Sequence, residues 1–134
     1  MVNFWKSFVK DKHKGKLTRD GIRLHEAADF DGMHKAGALA ARILDEVADH
    51  VYPGQTTGAL DKFIEDKVTE AGATSATIGY KGYKHASCIS VNHVVCHGIP
   101  SEKTLKDGDI LNIDVTVIVD GWYGDTSRMY VAGR

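Results

Sequence analysis

The sequence predicts an α+β fold in which two helices pack on an antiparallel sheet. Apolar residues recur twice at helical spacing, β-branched runs follow them, and an Asp-Gly pair divides two of those runs. The first helix is marked by Met33, Ala36, Ala40, Ile43, Leu44, Val47 and Val51, and it ends before Pro53-Gly54. Thr56 or Thr57 caps the second, whose stripe is Leu60, Phe63, Ile64, Val68 and Ala71 and whose end is Gly72. Both stripes read as core, with no cofactor role. Strand segments come next and finish in a hairpin, and no internal repeat or low-complexity segment interrupts the series.

The hairpin carries the chemistry. Val117-Ile118-Val119 runs into Asp120-Gly121 and leaves through Trp122-Tyr123, a strong two-residue turn signal. That turn pairs Val119 with Trp122, Ile118 with Tyr123, Thr116 with Asp125 and Asp114 with Ser127. Side chains alternate along a strand, so Asp114 and Asp125 share a face as diagonal neighbours roughly 7–8 Å apart at the backbone. Two acids so placed repel each other unless a cation or a proton lies between them. Solvent-facing turn acids are the ordinary alternative. Against it, residues 110–119 are apolar or β-branched at most positions, which predicts a strand covered on both faces, where a lone carboxylate is expensive.

At 134 residues, with 43% hydrophobic and 26% charged residues, the chain suits one domain with one core. No apolar run reaches membrane-spanning length, and Met1-Val2-Asn3-Phe4-Trp5-Lys6 leads into charge, unlike a signal peptide. Cys88 and Cys96 lack CxxC spacing and read as reduced thiols of a cytoplasmic protein.

The run Cys88-Ile89-Ser90-Val91-Asn92-His93-Val94-Val95-Cys96-His97-Gly98-Ile99-Pro100, then Leu105-Lys106-Asp107-Gly108-Asp109, Asn112-Ile113-Asp114-Val115-Thr116 and Gly124-Asp125-Thr126-Ser127, resembles the type I methionine aminopeptidases. Tyr52-Pro53-Gly54-Gln55-Thr56-Thr57 and Gly79-Tyr80-Lys81-Gly82-Tyr83 extend the likeness upstream, so that it covers about Asp29 to Arg134. The resemblance implies half of a pita-bread fold, an architecture of two αβ halves related by a pseudo-twofold. It also implies metal-assisted removal of an amino-terminal methionine by two divalent ions (Co, Mn, Fe or Zn). Asp114 and Asp125 match the two aspartate ligands of the first half. The family's His and two Glu ligands, and a second catalytic His, belong to the other half, and after Asp125 this sequence has neither His nor Glu. The expectation is therefore an amino-terminal half with little or no peptidase activity alone.

The resemblance assigns further residues. His97 matches the catalytic histidine that lies beside the metals and hydrogen-bonds substrate. Tyr80, Tyr83 and Cys88 match the pocket for the methionine side chain. The backbone carbonyls of Asn92 and Val94 match those that help hold a monovalent cation. Lys81 stands where bacterial relatives commonly carry His, and Thr77 where Cys is frequent. By their own chemistry a Gly/Tyr loop is ordinary turn material and an isolated loop histidine is ordinarily solvated. His13, His25, His34, His50 and His85 have no motif around them and read as structural, and His93 is a weak candidate.

Residues 1–25 form a basic arm, with Lys6, Lys10, Lys12, Lys14, Lys16, Arg19 and Arg23 opposed only by Asp11 and Asp20, and residues 26–134 form the half-domain. A short charge run usually keeps a tail soluble, while lysines of this kind also suit phosphate contact, as on a ribosome. Partners implied are peptides with amino-terminal methionine, with either a second copy of this chain or a separate second-half chain to complete the site, and no membrane. A non-catalytic module that binds peptide or ribosome is the alternative function.

Overall fold

The computed structural model describes residues 15–133. Of the basic arm, Lys6, Lys10, Lys12 and Lys14 lie outside the described residues. Lys16, Arg19 and Arg23 belong to a tight reversal, in which Leu17 bridges Arg23 and the Thr18 N–H donates to the Ile22 carbonyl at 2.8 Å.

Helix α1, Ala27–Val47, begins six residues before Met33, because Glu26 and Asp29 supply a start that the apolar spacing does not report. The Glu26 N–H donates to Asp29 Oδ2 at 2.9 Å, satisfying a group that the helix start would otherwise leave open. Met33 is 45% exposed and lies outside the core. The helix instead approaches the sheet along small residues. Gly32 lies where an added Cβ would collide with the Trp122 indole, and the wholly buried Ala36 and Ala40 continue that side. A single 3-10 turn, Ala48–His50, ends the element, so Val51 is only partly buried beyond it.

Helix α2, Thr57–Glu70, is capped as expected: Thr56 Oγ1 accepts the Ala59 N–H at 3.1 Å, and Gly72 takes a φ of +66° at the far end. Leu60, Ile64 and Val68 are buried, while Phe63 is only partly so and stacks on His50 with ring centroids 4.1 Å apart. Ala71, the C-cap, is exposed.

Among the described residues four antiparallel strands follow: β1 Thr74–Ser75, β2 Ser87–Val91, β3 Ile110–Val119 and β4 Trp122–Val131. β3 is central. β4 pairs along one whole edge, while β1 and β2 share the other, β1 opposite Val117 and Ile118 and β2 opposite Leu111 to Val115. The hairpin register matches the expected one at all four pairs named from the sequence. Asp120 and Gly121 both have positive φ, +52° and +89°, as a two-residue turn that follows the strands' twist requires.

The expectation that β3 is covered on both faces is corrected. Leu111, Ile113, Val115 and Val117 are fully buried beneath the helices, whereas Asn112, Asp114, Thr116 and Ile118 are only half-buried on the opposite face. The β-branched content of that second face reflects strand propensity and the wall of a cleft, without a second packed layer among the described residues. Gly124 lets the helix layer close down on the sheet, since a Cβ there would strike the Ala36 carbonyl. Asp125, the next residue, therefore points to the open face. Among the described residues no helix is long and apolar enough to cross a membrane.

Candidate functional site

On the open face of the sheet lies a cleft of about 760 Å³, and Tyr80, Tyr83, Cys88, His97, Asp114 and Asp125 all line it. These six come from the β3–β4 hairpin, from β2 and from the two loops that flank β2. Asp114 and Asp125 stand on β3 and β4, offset by one pair in the register, with Asp114 opposite Ser127 and Asp125 opposite Thr116. Cys88 stands on β2 directly opposite Asp114. The tyrosines arrive on the loop before β2, and His97 on the loop after it.

The carboxylates are not equivalent. Asp125 is exposed, and its Oδ1 accepts the Thr116 hydroxyl at 3.0 Å, which aims it along the face. Asp114 is half-buried, and burial, then the charge of Asp125, push its carboxyl above the usual carboxylate range, with His97 opposing the shift. A dication between the two would remove the repulsion, and two carboxylates are apt oxygen donors for one. Among the described residues no group of three or more His, Cys, Asp and Glu is arranged to enclose an ion. Asp114 and Asp125 thus fit part of a divalent-metal donor set.

His97 owes its place to its neighbour. Gly98 N–H donates to Ser90 Oγ at 3.0 Å, and Ile89 N–H donates to the Gly98 carbonyl at 2.8 Å, so the loop is pinned against β2. An added Cβ on Gly98 would collide with the Ile89 carbonyl, so only glycine permits that approach. His97 itself has a φ of +54° and is exposed on the cleft rim.

The loop 76–83 turns on Gly79 and Gly82, with φ of +86° and +84°, and carries Lys81 between them at +48°. Lys81 Nζ lies 5.5 Å from the centroid of the Tyr80 ring. Tyr83 donates its hydroxyl to the Ser87 carbonyl at 2.8 Å, and burial raises its pKa first of all, so it stays a neutral donor. Burial likewise raises the Cys88 thiol, which favours the uncharged, softly apolar form suited to a thioether neighbour.

Asn92 and Val94 do not line the cleft. They sit in the turn after β2, where Asn92, at a φ of +54°, donates its N–H to the Ile110 carbonyl at 2.9 Å and its Nδ2–H to Asp109 Oδ1 at 2.9 Å. His93 is exposed in the same turn. Sequence reasoning passed over Tyr123 and Thr116, which also line the cleft, although their parity with Asp125 and Asp114 in the hairpin places them on the same face. It passed over Asp61 as well, a buried carboxylate on α2 that no local pattern announces.

Residues 31–134 match the profile of the metallopeptidase family M24. The chain is 54% identical over 112 residues to a methionine aminopeptidase of Rickettsia prowazekii and 51% identical over 115 residues to that of Escherichia coli K12, each match taking in 84% of this chain. It covers 43% and 44% of those proteins, so the chain spans less than half the length of the curated relatives it matches. The crystal structure of the Rickettsia prowazekii enzyme superimposes with a TM-score of 0.83 at 54% identity, over 84% of this chain and 46% of that one. With two helices on one face of an antiparallel sheet and two acids on the other, the chain belongs to the metallopeptidase family M24 and has the architecture of half a pita-bread fold.

Proposed function

We propose that this chain supplies one half of a metal-dependent methionine aminopeptidase site, which acts on peptides by their amino-terminal methionine. The observation that carries this reading is the convergence of Asp114, Asp125 and His97 with an aromatic and thiol wall in one cleft. Asp114 and Asp125 would hold the divalent ions, Co, Mn, Fe or Zn, which supply Lewis acidity and an acidified water. His97 orients the substrate by hydrogen bonding, and Tyr80, Tyr83 and Cys88 receive the methionine side chain. The carbonyls of Asn92 and Val94 would serve a monovalent cation outside the cleft.

Two carboxylates hold an ion weakly compared with a fuller set, and among the described residues the cleft is lined by no carboxylate besides Asp114 and Asp125 to serve as general base. The chain alone is therefore expected to release little or no methionine. Completion would come from a second half of the fold, and a second copy in that place would bring four aspartates together and so require metal to associate. The family resemblance suits the cytoplasm, and the basic arm suits contact with ribosomal RNA. A module that binds peptide or ribosome without cleaving is the second reading, favoured by a formed cleft with only part of a donor set.

Light scattering with and without Mn, on the same sample assayed for methionine release from Met-Ala-Ser, separates these. A metal-dependent dimer whose activity is abolished by Asp125→Asn supports self-completion. Activity appearing only on addition of a second-half chain supports a two-chain enzyme. Salt-sensitive ribosome binding with no cleavage at any metal concentration supports the binding module. Release that persists unchanged in Asp114→Asn overturns the proposed site.

A further inference from the structure

Among the described residues, the buried polar side chains are Thr57, Asp61, Ser75, Ser87 and Ser90, and of these Asp61 is the one that can carry a charge. It stands between Leu60 and Ile64 on the side of α2 that faces the core, and both of its oxygens are engaged. Oδ1 accepts the Ser87 N–H at 2.8 Å and the Ser87 hydroxyl at 2.7 Å. Oδ2 lies 3.0 Å from His85 Nδ1. The carboxylate accepts, so Nδ1 carries the hydrogen and donates it.

From these two partners the network reaches the cleft in one step. The Tyr83 hydroxyl donates to the Ser87 carbonyl at 2.8 Å, and Cys88 follows Ser87 on β2. The Tyr83 and His85 rings meet edge to face with centroids 5.5 Å apart. The Thr77 hydroxyl donates to the His85 carbonyl at 2.7 Å, tying the start of the same loop to the same residue. One buried carboxylate on the helix layer thus gives a common reference to the loop that carries Tyr83 and to the strand that carries Cys88.

We propose that Asp61 and His85 are positioning residues for the side-chain pocket: acting through Ser87 and the ring contact, they set Tyr83 and Cys88 against the amino-terminal residue of a bound peptide. The inference rests on the peptide-binding reading of the cleft. Neither residue lines the cleft. Their effect is on the shape of the wall, since a misplacement of about 1 Å in a supporting shell is enough to loosen a site.

The decisive comparison is His85→Leu with His85→Asn in the full chain carrying Cys96→Ala, so that Cys88 is the one thiol. Asn can present an N–H near the position of Nδ1, and Leu cannot. The alkylation rate of Cys88 by iodoacetamide at fixed pH reads the wall without any peptide. The affinity for Met-Ala-Ser, measured by calorimetry, reads its consequence. Expected is a several-fold change in alkylation rate in His85→Leu, a loss of about tenfold in peptide affinity, as outer-shell partners typically cost, and recovery of both in His85→Asn. Melting that falls in His85→Leu while both readouts stay at the parent values would overturn the proposal and leave a purely structural bond. If His85→Leu does not fold, nitrogen NMR of the parent imidazole decides: hydrogen on Nδ1 supports the arrangement, and hydrogen on Nε2 alone overturns it. If the parent chain binds no peptide, the peptide-binding reading fails, and the alkylation comparison still shows whether the wall is set by His85.

Discussion

Asp114 sits in a place that disfavours its charge, because burial and then Asp125 both oppose ionisation. Replacing it by Asn removes that opposition while keeping the shape. In metal-free buffer near neutral pH, Asp114→Asn is expected to melt at the same temperature as the parent or higher, an unusual result for a strand residue and one that a thermal scan reads directly. With Mn added the order reverses. An ion bound only by the folded state raises the parent's melting point according to its occupancy, and both Asp114→Asn and Asp125→Asn should lose that shift. A metal-free loss of stability in Asp114→Asn would show that the carboxylate has a structural partner and is not held for an ion.

At the scale of elements, two of the points that hold the loop between β2 and β3 differ in their chemistry. At Gly98 the constraint is steric. Gly98→Ala places a methyl group against the Ile89 carbonyl and displaces His97 from the rim; overpacking of that kind typically costs about 1–3 kcal/mol, readable by urea denaturation. At Asp109 the constraint is electrostatic. Its carboxylate accepts Asn92 Nδ2–H and the Lys106 N–H, each at 2.9 Å, and these bonds, Asn92's first, hold it below its ordinary value near 3.8. Because the folded value is the lower one, the stabilisation is fully present above pH 3.8 and is lost as pH falls through the lowered value. Amide exchange at Lys106 is expected to accelerate beyond its intrinsic pH trend in that acid window, and Asp109→Asn should abolish the extra acceleration. What the sequence disclosed at this scale follows from range. The hairpin register is local, dictated by Asp120-Gly121 and period-two alternation, and it was legible in full. The Asp61 pairing with His85 spans 24 residues and joins a helix to a loop, so nothing in either segment predicts it. The start of α1 was missed because Glu26 and Asp29 announce it with polar bonds, while the apolar stripe begins later.

Across the whole molecule, stability and chemistry occupy opposite faces of one strand. β3 presents Leu111, Ile113, Val115 and Val117 to the helices and Asn112, Asp114, Thr116 and Ile118 to the open face, where Asp114 and Thr116 line the cleft. The sequence signalled strand propensity on both sides without telling them apart, since Thr and Ile serve an open sheet face as readily as a core. The division is testable with two isoleucines. Ile113 is fully buried among Leu44, Ile64 and the other core residues, so Ile113→Ala removes packed volume and is expected to cost about 2–5 kcal/mol. Ile118, half-buried on the open face, has fewer neighbours to lose, and Ile118→Ala should cost no more than about 1 kcal/mol. The Mn-induced rise in melting temperature supplies the second axis. It should persist in Ile113→Ala at temperatures where that variant is folded, because the carboxylates stand on the other face and the register that sets their separation is held by ten backbone pairs between β3 and β4. Loss of the Mn response in Ile113→Ala at temperatures where its circular dichroism is native would show that core packing, beyond the strand register, sets the distance between the two acids.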